Sequence, residues 1–167
     1  MTRYAAETTV ASDRSRAEIE RILERYGASS FMYGWQKERA IVAFEMHGRR
    51  IRFELPMPSR EDRAFTRTPT GLVRTEKARQ EAYEQAVRQR WRALALVIKA
   101  KLEAVESHIS SFDEEFMANI VLPSGETVGE SILPQVEIAY KGGALPALLP
   151  GAETTPVIAL PPPAQGR

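Results

Sequence analysis

Apolar residues in this chain recur with two different periods. Between Arg16 and Tyr26 they fall at Ala17, Ile19, Ile22, Leu23 and Tyr26, one face of a helix. Ser15 and Glu18 stand in capping-box spacing and Gly27 offers a left-handed stop, so a helix over about 16–26 is predicted. From Phe31 the period becomes two. Phe31, Tyr33 and Trp35 alternate with Met32, Gly34 and Gln36; Val42, Phe44 and Met46 with Ile41, Ala43 and Glu45; Ile51, Phe53 and Leu55 with Arg50, Arg52 and Glu54. Connectors as short as Lys37-Glu38-Arg39 and His47-Gly48-Arg49 admit only antiparallel hairpins. A three-stranded meander is therefore expected, with Phe31, Tyr33 and Trp35 turned to the core. Its second face, Met32, Gly34, Ile41, Ala43, Arg50, Arg52 and Glu54, is the candidate binding or oligomer surface.

Pro56 and Pro58 end the third strand, and about seventeen residues of turn chemistry follow, read as an irregular loop. A helical stripe then runs from about Glu76, behind a Thr75 cap, to Ser107: Ala78, Ala82, Tyr83, Ala86, Val87, Trp91, Leu94, Ile98, Leu102 and Val105. Trp91 is expected to anchor the core. Between Ala93 and Ile98 the helix is apolar nearly all round, which predicts burial against the sheet on one side and a helix or second subunit on the other. Ser111 and Glu114 cap a short helix with Phe112, Phe116, Met117 and Ile120. Thr127 and Glu130 can cap a last one carrying Ile132, Leu133, Val136, Ala139 and Tyr140. Pro134 fits a first turn, so regular helix is expected from near Ser131, with Gly142 and Gly143 as its stop. Six prolines among residues 144–167 predict a flexible tail. The expected fold class is α+β: N-terminal helix, three-stranded antiparallel meander, long central helix, two short C-terminal helices and a disordered proline-rich tail. One domain spans 8–143.

Charge divides the chain differently. Residues 1–101 hold 21 Lys+Arg against 13 Asp+Glu, whereas residues 102–167 hold 2 against 9, behind a formal net charge of only +1. A basic part meeting a polyanion and an acidic part meeting something else would produce this pattern, as would an acidic half folded back on the basic one. The 167 residues include no cysteine, which excludes disulfides and thiolate metal sites. The first sixteen residues are polar, without the apolar run of a secretory signal, and the longest apolar stretch is too short to cross a bilayer. A cytoplasmic protein with no membrane partner is expected.

Catalytic signals are sparse. His47 and His108 lack ligand spacing, and no nucleophile elbow, phosphate loop or dinucleotide fingerprint is present. Glu45 and Glu54 sit on neighbouring strands as in metal-dependent nucleases of the restriction type, but the aspartate and lysine of that constellation are missing. No catalytic residue, metal or cofactor is expected. The arginines say more: Lys37 to Arg79 contains 11 Lys+Arg, nine of them arginine, against 6 Asp+Glu. Arginine pairs bidentately with phosphate and stacks on bases. Arg49, Arg50 and Arg52 on the second hairpin, Arg63, Arg67 and Arg74 in the loop, and Arg88 and Arg92 on the long helix are the candidate nucleic-acid contacts. Phe65 and exposed aromatics would stack on bases in a groove between hairpin and helix. The competing reading is that arginines simply solvate and cover the edges of apolar faces.

The segments RYGASSFMYGW, FEMHGRRIRFELPMPSREDRAFTRTP and RQRWRALALVIKAKLEAVES, with LPSGETVGE, resemble a group of small bacteriophage and prophage proteins over most of residues 8–150. The resemblance carries no functional residue with it. It implies a bacterial or phage-infected cytoplasm and a role in replication, recombination or counter-defence. In topology alone, meander then long helix is similar to Rad52-type single-strand annealing proteins. The expected function is that of a non-enzymatic, phage-type accessory protein binding nucleic acid, single-stranded DNA by preference. The alternative is an interaction protein that forms a homo-oligomer, or binds a phage or host protein through the sheet face or the acidic distal helices.

Overall fold

A computed structural model describes residues 4–36 and 38–142. The architecture is α+β. Helix α1, Tyr4–Arg25, leads into strands β1 (Ser30–Gln36), β2 (Arg39–Met46) and β3 (Arg49–Pro56). Then come a one-turn helix α2 (Arg63–Thr66), the long α3 (Glu76–Glu106), α4 (Phe112–Phe116), a 3-10 turn over Met117–Asn119, and α5 (Val128–Gly142). The sheet order is β1-β2-β3, antiparallel throughout. The predicted tail, 144–167, lies outside the described residues.

Local chemistry explains the joints. His47 and Gly48 both have positive φ, 51° and 71°, the combination that a two-residue type I′ hairpin requires. Gly27, φ 89°, ends α1 in a Schellman motif: Ala28 N donates to Leu23 O and Gly27 N to Glu24 O. The end of α3 repeats the motif with a histidine. His108 takes φ 56° while Ile109 N donates to Ala104 O and His108 N to Val105 O.

The register places Phe31, Phe44 and Ile51 in one row and Tyr33, Val42 and Phe53 in the next on the core face. Against them pack Val87, Trp91, Leu94, Ala95, Ile98 and Leu102 of α3, Ile19 and Leu23 of α1, and Phe112 and Phe116 of α4. Phe116, fully buried, meets Phe44 and Phe53 edge-on at ring distances of 5.9 and 6.3 Å. Arg16 lies 5.8 Å from the Trp91 ring, and Tyr26 lies beside Glu103 and Glu106, so α1 and α3 run side by side in the same direction.

Several expectations need correction. Helix α1 begins at Tyr4, not near Arg16, so Ser15 and Glu18 lie inside it and their capping-box spacing is incidental. The 57–75 segment is ordered. Asp62 caps α2 through Ala64 N, Phe65 is buried edge-on to Tyr83 at 5.9 Å, and a bridge between Arg67 and Val73 closes a turn at Gly71. Phe65 is thus not available for stacking on bases. Tyr33 and Trp35, which the alternation turns to the core, are 47% and 77% exposed, because they stand on the edge strand β1 while the core packs over Ala40, Val42 and Phe53 beside them. Along Ala93–Ile98 only Leu94, Ala95 and Ile98 are buried; Leu96 and Val97 stay 62% and 46% exposed, since no described element packs on that side of α3. Helix α5 starts at Val128 with Pro134 inside it, so Glu130 C=O forgoes the donor that a non-proline residue would supply.

Candidate interaction surfaces

The eight candidate arginines do not form one groove. Arg50 and Arg52 lie on the sheet face turned away from α3, whereas Arg49 reaches from the hairpin tip to α4. Arg88 and Arg92 belong to the half of α3 near Pro56, whose carbonyl accepts from Arg90. The seven residue steps of β3 between Arg49 and Pro56 span about 23 Å. Arg63, Arg67 and Arg74 sit in the 57–75 segment, which packs on the start of α3 through Phe65 and Tyr83.

Most of these cations already have partners. Arg49 makes a bidentate pair with Asp113, Nε to Oδ1 at 3.2 Å and Nη2 to Oδ2 at 3.1 Å. Arg50 holds Glu45 across the hairpin at 3.0 Å. Arg52 donates to Gly125 O at 2.8 Å and to Glu130 at 2.5 Å. Arg67 donates to Gly71 O and Arg74 Nε to Arg67 O, so both serve the turn they stand in. Arg88 lies 3.9 Å from Glu84. The guanidinium groups of Arg63 and Arg92 make no hydrogen bond or ion pair with the other described residues. Exposed pairs add little stability, about 0–1 kcal/mol each, but each means that a phosphate must displace a carboxylate before using the guanidinium.

The division of charge along the chain resolves here. Arg49–Asp113, Arg52–Glu130 and Lys101–Glu115 each join the basic half to the acidic one. Two of the carboxylates' neighbours are also caps. Ser111 and Glu114 form a complete capping box on α4, and at α5 Glu130 Oε2 accepts from Thr127 N while Thr127 Oγ1 accepts from Glu130 N. The backbone hydrogen bond from Thr127, and then Arg52, hold the Glu130 carboxyl below the ordinary glutamate range. The Ser111 backbone and hydroxyl do the same for Glu114. Ser110, with Lys101 assisting, does so for Glu115.

Apolar surface is the more distinctive feature. On α5, Ile132, Leu133, Val136, Ala139 and Tyr140 form one stripe at helical spacing. Ile132, Val136 and Ala139 are half-buried, Leu133 and Tyr140 are 64% and 89% exposed, Ile138 beside them is exposed as well, and Gly129 is the one residue of the helix that is fully buried. Gly129 is where α5 touches the body, its Cα face pressed on Ala118 O. Met117 in the adjoining turn is exposed too. Met32 and Trp35 on β1, Leu72 and Val73 in the 57–75 segment, Leu96 and Val97 on α3 and Ile109 after it are exposed as well.

Other chemistry is thin. A shallow cleft beside the hairpin tip is lined by Ser29, Glu45, Gly48, Arg49, Arg50 and Val121, but both its guanidinium groups are paired. Glu45 and Glu54, the carboxylates of the nuclease reading, pair with Arg50 and Arg39. Among the described residues no three His, Asp or Glu side chains are grouped to hold a metal, and no helix is long and apolar enough to cross a membrane. The sequence spacing names the α5 stripe without saying whether anything covers it, and assigns Gly129 no role; a glycine inside a helical pattern is the available signal. No protein-family model, curated protein or solved structure matches the chain.

Proposed function

We propose that this protein is a non-enzymatic interaction module that docks α5 into an apolar groove of a partner protein. The observation that carries the reading is the apolar surface that α5 leaves open: Leu133, Ile138 and Tyr140 are exposed and Ile132, Val136 and Ala139 only half-buried, and the stripe Ile132, Leu133, Val136, Ala139 and Tyr140 has the spacing used by helices that insert into grooves. Glu137 and Lys141 pair with each other at 2.6 Å on α5, so the docking face is apolar with a neutral rim. The setting we propose is the cytoplasm of a bacterial, phage-infected cell, with a phage or host protein as partner. A photo-crosslinking residue at Tyr140 tests it in such cells. The expected result is one discrete adduct that Leu133→Asp abolishes; crosslinking no greater than from a control position at Arg63 overturns it.

A second reading, nucleic-acid binding, is supported by the line of Arg88, Arg92 and Lys99 on the outer flank of α3, together with Arg63. Single-stranded DNA is its favoured ligand. It predicts an electrophoretic shift of short oligonucleotides at low salt that collapses steeply as salt rises, whereas an apolar protein interface scarcely responds. The absence of any shift at low salt removes this reading.

A further inference from the structure

The two edges of the sheet are finished differently. Along β3 the outer edge is occupied: Val121 N donates to Arg50 O at 2.8 Å, Ile51 bridges to Ile120, and Asn119 Nδ2 donates to Arg52 O at 3.1 Å. Along β1, among the described residues, no backbone hydrogen bond reaches the edge away from β2. An open edge is a template for another strand, and proteins usually blunt one with charge, proline or a bulge. Strand β1, SFMYGWQ, has no charged residue and no proline, and its register with β2 runs unbroken from Ser30 to Gln36.

Its sequence also reads alike in both directions. Aromatic residues stand two places either side of Tyr33, at Phe31 and Trp35, and polar residues three places either side, at Ser30 and Gln36. We propose that the β1 edge pairs with β1 of a second copy, antiparallel about a two-fold axis at Tyr33, joining two sheets into one of six strands. In that register Phe31 faces the partner's Trp35, Tyr33 the partner's Tyr33, and Trp35 the partner's Phe31. Cross-strand aromatic pairs of this kind stabilise antiparallel strands. They would cover Trp35, now 77% exposed, and Tyr33, which Arg16 caps from α1 at 4.5 Å. On the other face the exposed Met32 lies opposite the partner's Gly34, where a Cβ would meet nothing within 4 Å. An uncharged strand brings no like charges together on self-pairing, which is the electrostatic condition for an isologous contact. Because the β3 edge is occupied, assembly closes at two copies and does not run on into a filament.

This inference uses a surface separate from α5 and stands or falls independently of it. Light scattering of the full chain over a range of concentrations should show a mass approaching twice 18.7 kDa. Trp35→Lys and Met32→Lys, both at exposed positions, should keep the circular dichroism and melting of the monomer and weaken self-association about tenfold or more. Because the chain has no cysteine, single-cysteine variants report the register directly. On mild oxidation Tyr33→Cys should form a disulfide-linked dimer faster than Met32→Cys, Gly34→Cys or Ser30→Cys, since only a residue on the two-fold meets itself. A monomer at every concentration, larger open-ended assemblies, a dimer indifferent to both lysine variants, or fastest linkage at another position each overturns the proposal.

Discussion

Replacing Gly129 with alanine probes how α5 is attached. An added Cβ would lie 2.8 Å from Ala118 O and 3.4 Å from Ala118 Cβ, whereas even a favourable C–H···O contact sits at about 3.3–3.6 Å. The carbonyl cannot step aside cheaply: it belongs to a 3-10 turn pinned by Ile120 N, which donates to both Phe116 O and Met117 O. The helix must lift by several tenths of an ångström instead. Overpacking of this kind costs about 1–3 kcal/mol. Alanine returns at most about 0.5–1 kcal/mol of helix propensity, and less in a first turn. The net loss is therefore about 1–2 kcal/mol. It should fall on docking, because lifting the first turn also draws Glu130 away from Arg52, while the core under α3 is untouched. Hydrogen exchange read by mass spectrometry should show amides of 119–135 exchanging about 5–30 times faster, with β2 and α3 unchanged. Unaltered exchange, or an equal loss of protection throughout, would refute the reasoning.

Trp91→Ala, at a site only 4% exposed in the centre of the core, should cost about 3–5 kcal/mol in urea unfolding; a variant of unchanged midpoint means α3 is packed otherwise. Glu103 facing the Tyr26 hydroxyl, reinforced by burial and the charge of Glu106, raises the Tyr26 pKa to about 12, so ultraviolet titration should show one tyrosine ionising well above the others and missing in Tyr26→Phe. Its contribution to stability is complete below pH 10 and lost as pH rises through about 12. The capping carboxylates run the opposite way: Glu114 and Glu130 are depressed, so what they contribute is present above the ordinary glutamate pKa and lost on acidification below it, seen as acid-induced exchange at 111–131. His108→Gly should stabilise the chain by about 0.5–1 kcal/mol, glycine being at ease at φ 56°; an unchanged melting temperature would place the strain elsewhere. Ending the chain after Gly143 should alter stability by less than about 1 kcal/mol, and a larger loss would mean that Leu145, Leu148 or Leu149 covers α5.

Short-range chemistry was legible. The alternation from Phe31 to Leu55 gave the meander, its antiparallel order and the core roles of Val42, Phe44, Ile51 and Phe53, and the caps at Thr75, Ser111 and Thr127 lie where their spacing put them. What could not be read was which apolar face meets something. Trp35 and Phe44 occupy equivalent places in the pattern, yet one sits at a rim and the other under Phe116, a distinction set by residues more than seventy positions away. The arginines failed for the same reason. Arg49 and Arg52 look like a free basic cluster until Asp113 and Glu130 are brought beside them by folding. Nothing local announces a salt bridge 78 residues long.

That separation has a consequence in time. A chain is synthesised from its N-terminus at about 5–20 residues per second, so the 78 residues between Arg52 and Glu130 represent roughly 4–16 seconds during which Arg52 has no Glu130 to meet. Asp113 follows Arg49 by 64 residues and is nearly as late, and Phe116, which closes the aromatic cluster over Phe44 and Phe53, arrives with it. On the ribosome the meander emerges cationic and with its core face uncovered, beside a ribosomal RNA surface of opposite charge. The acidic segment thereby completes the core and neutralises the sheet only after the meander and α3 have been synthesised.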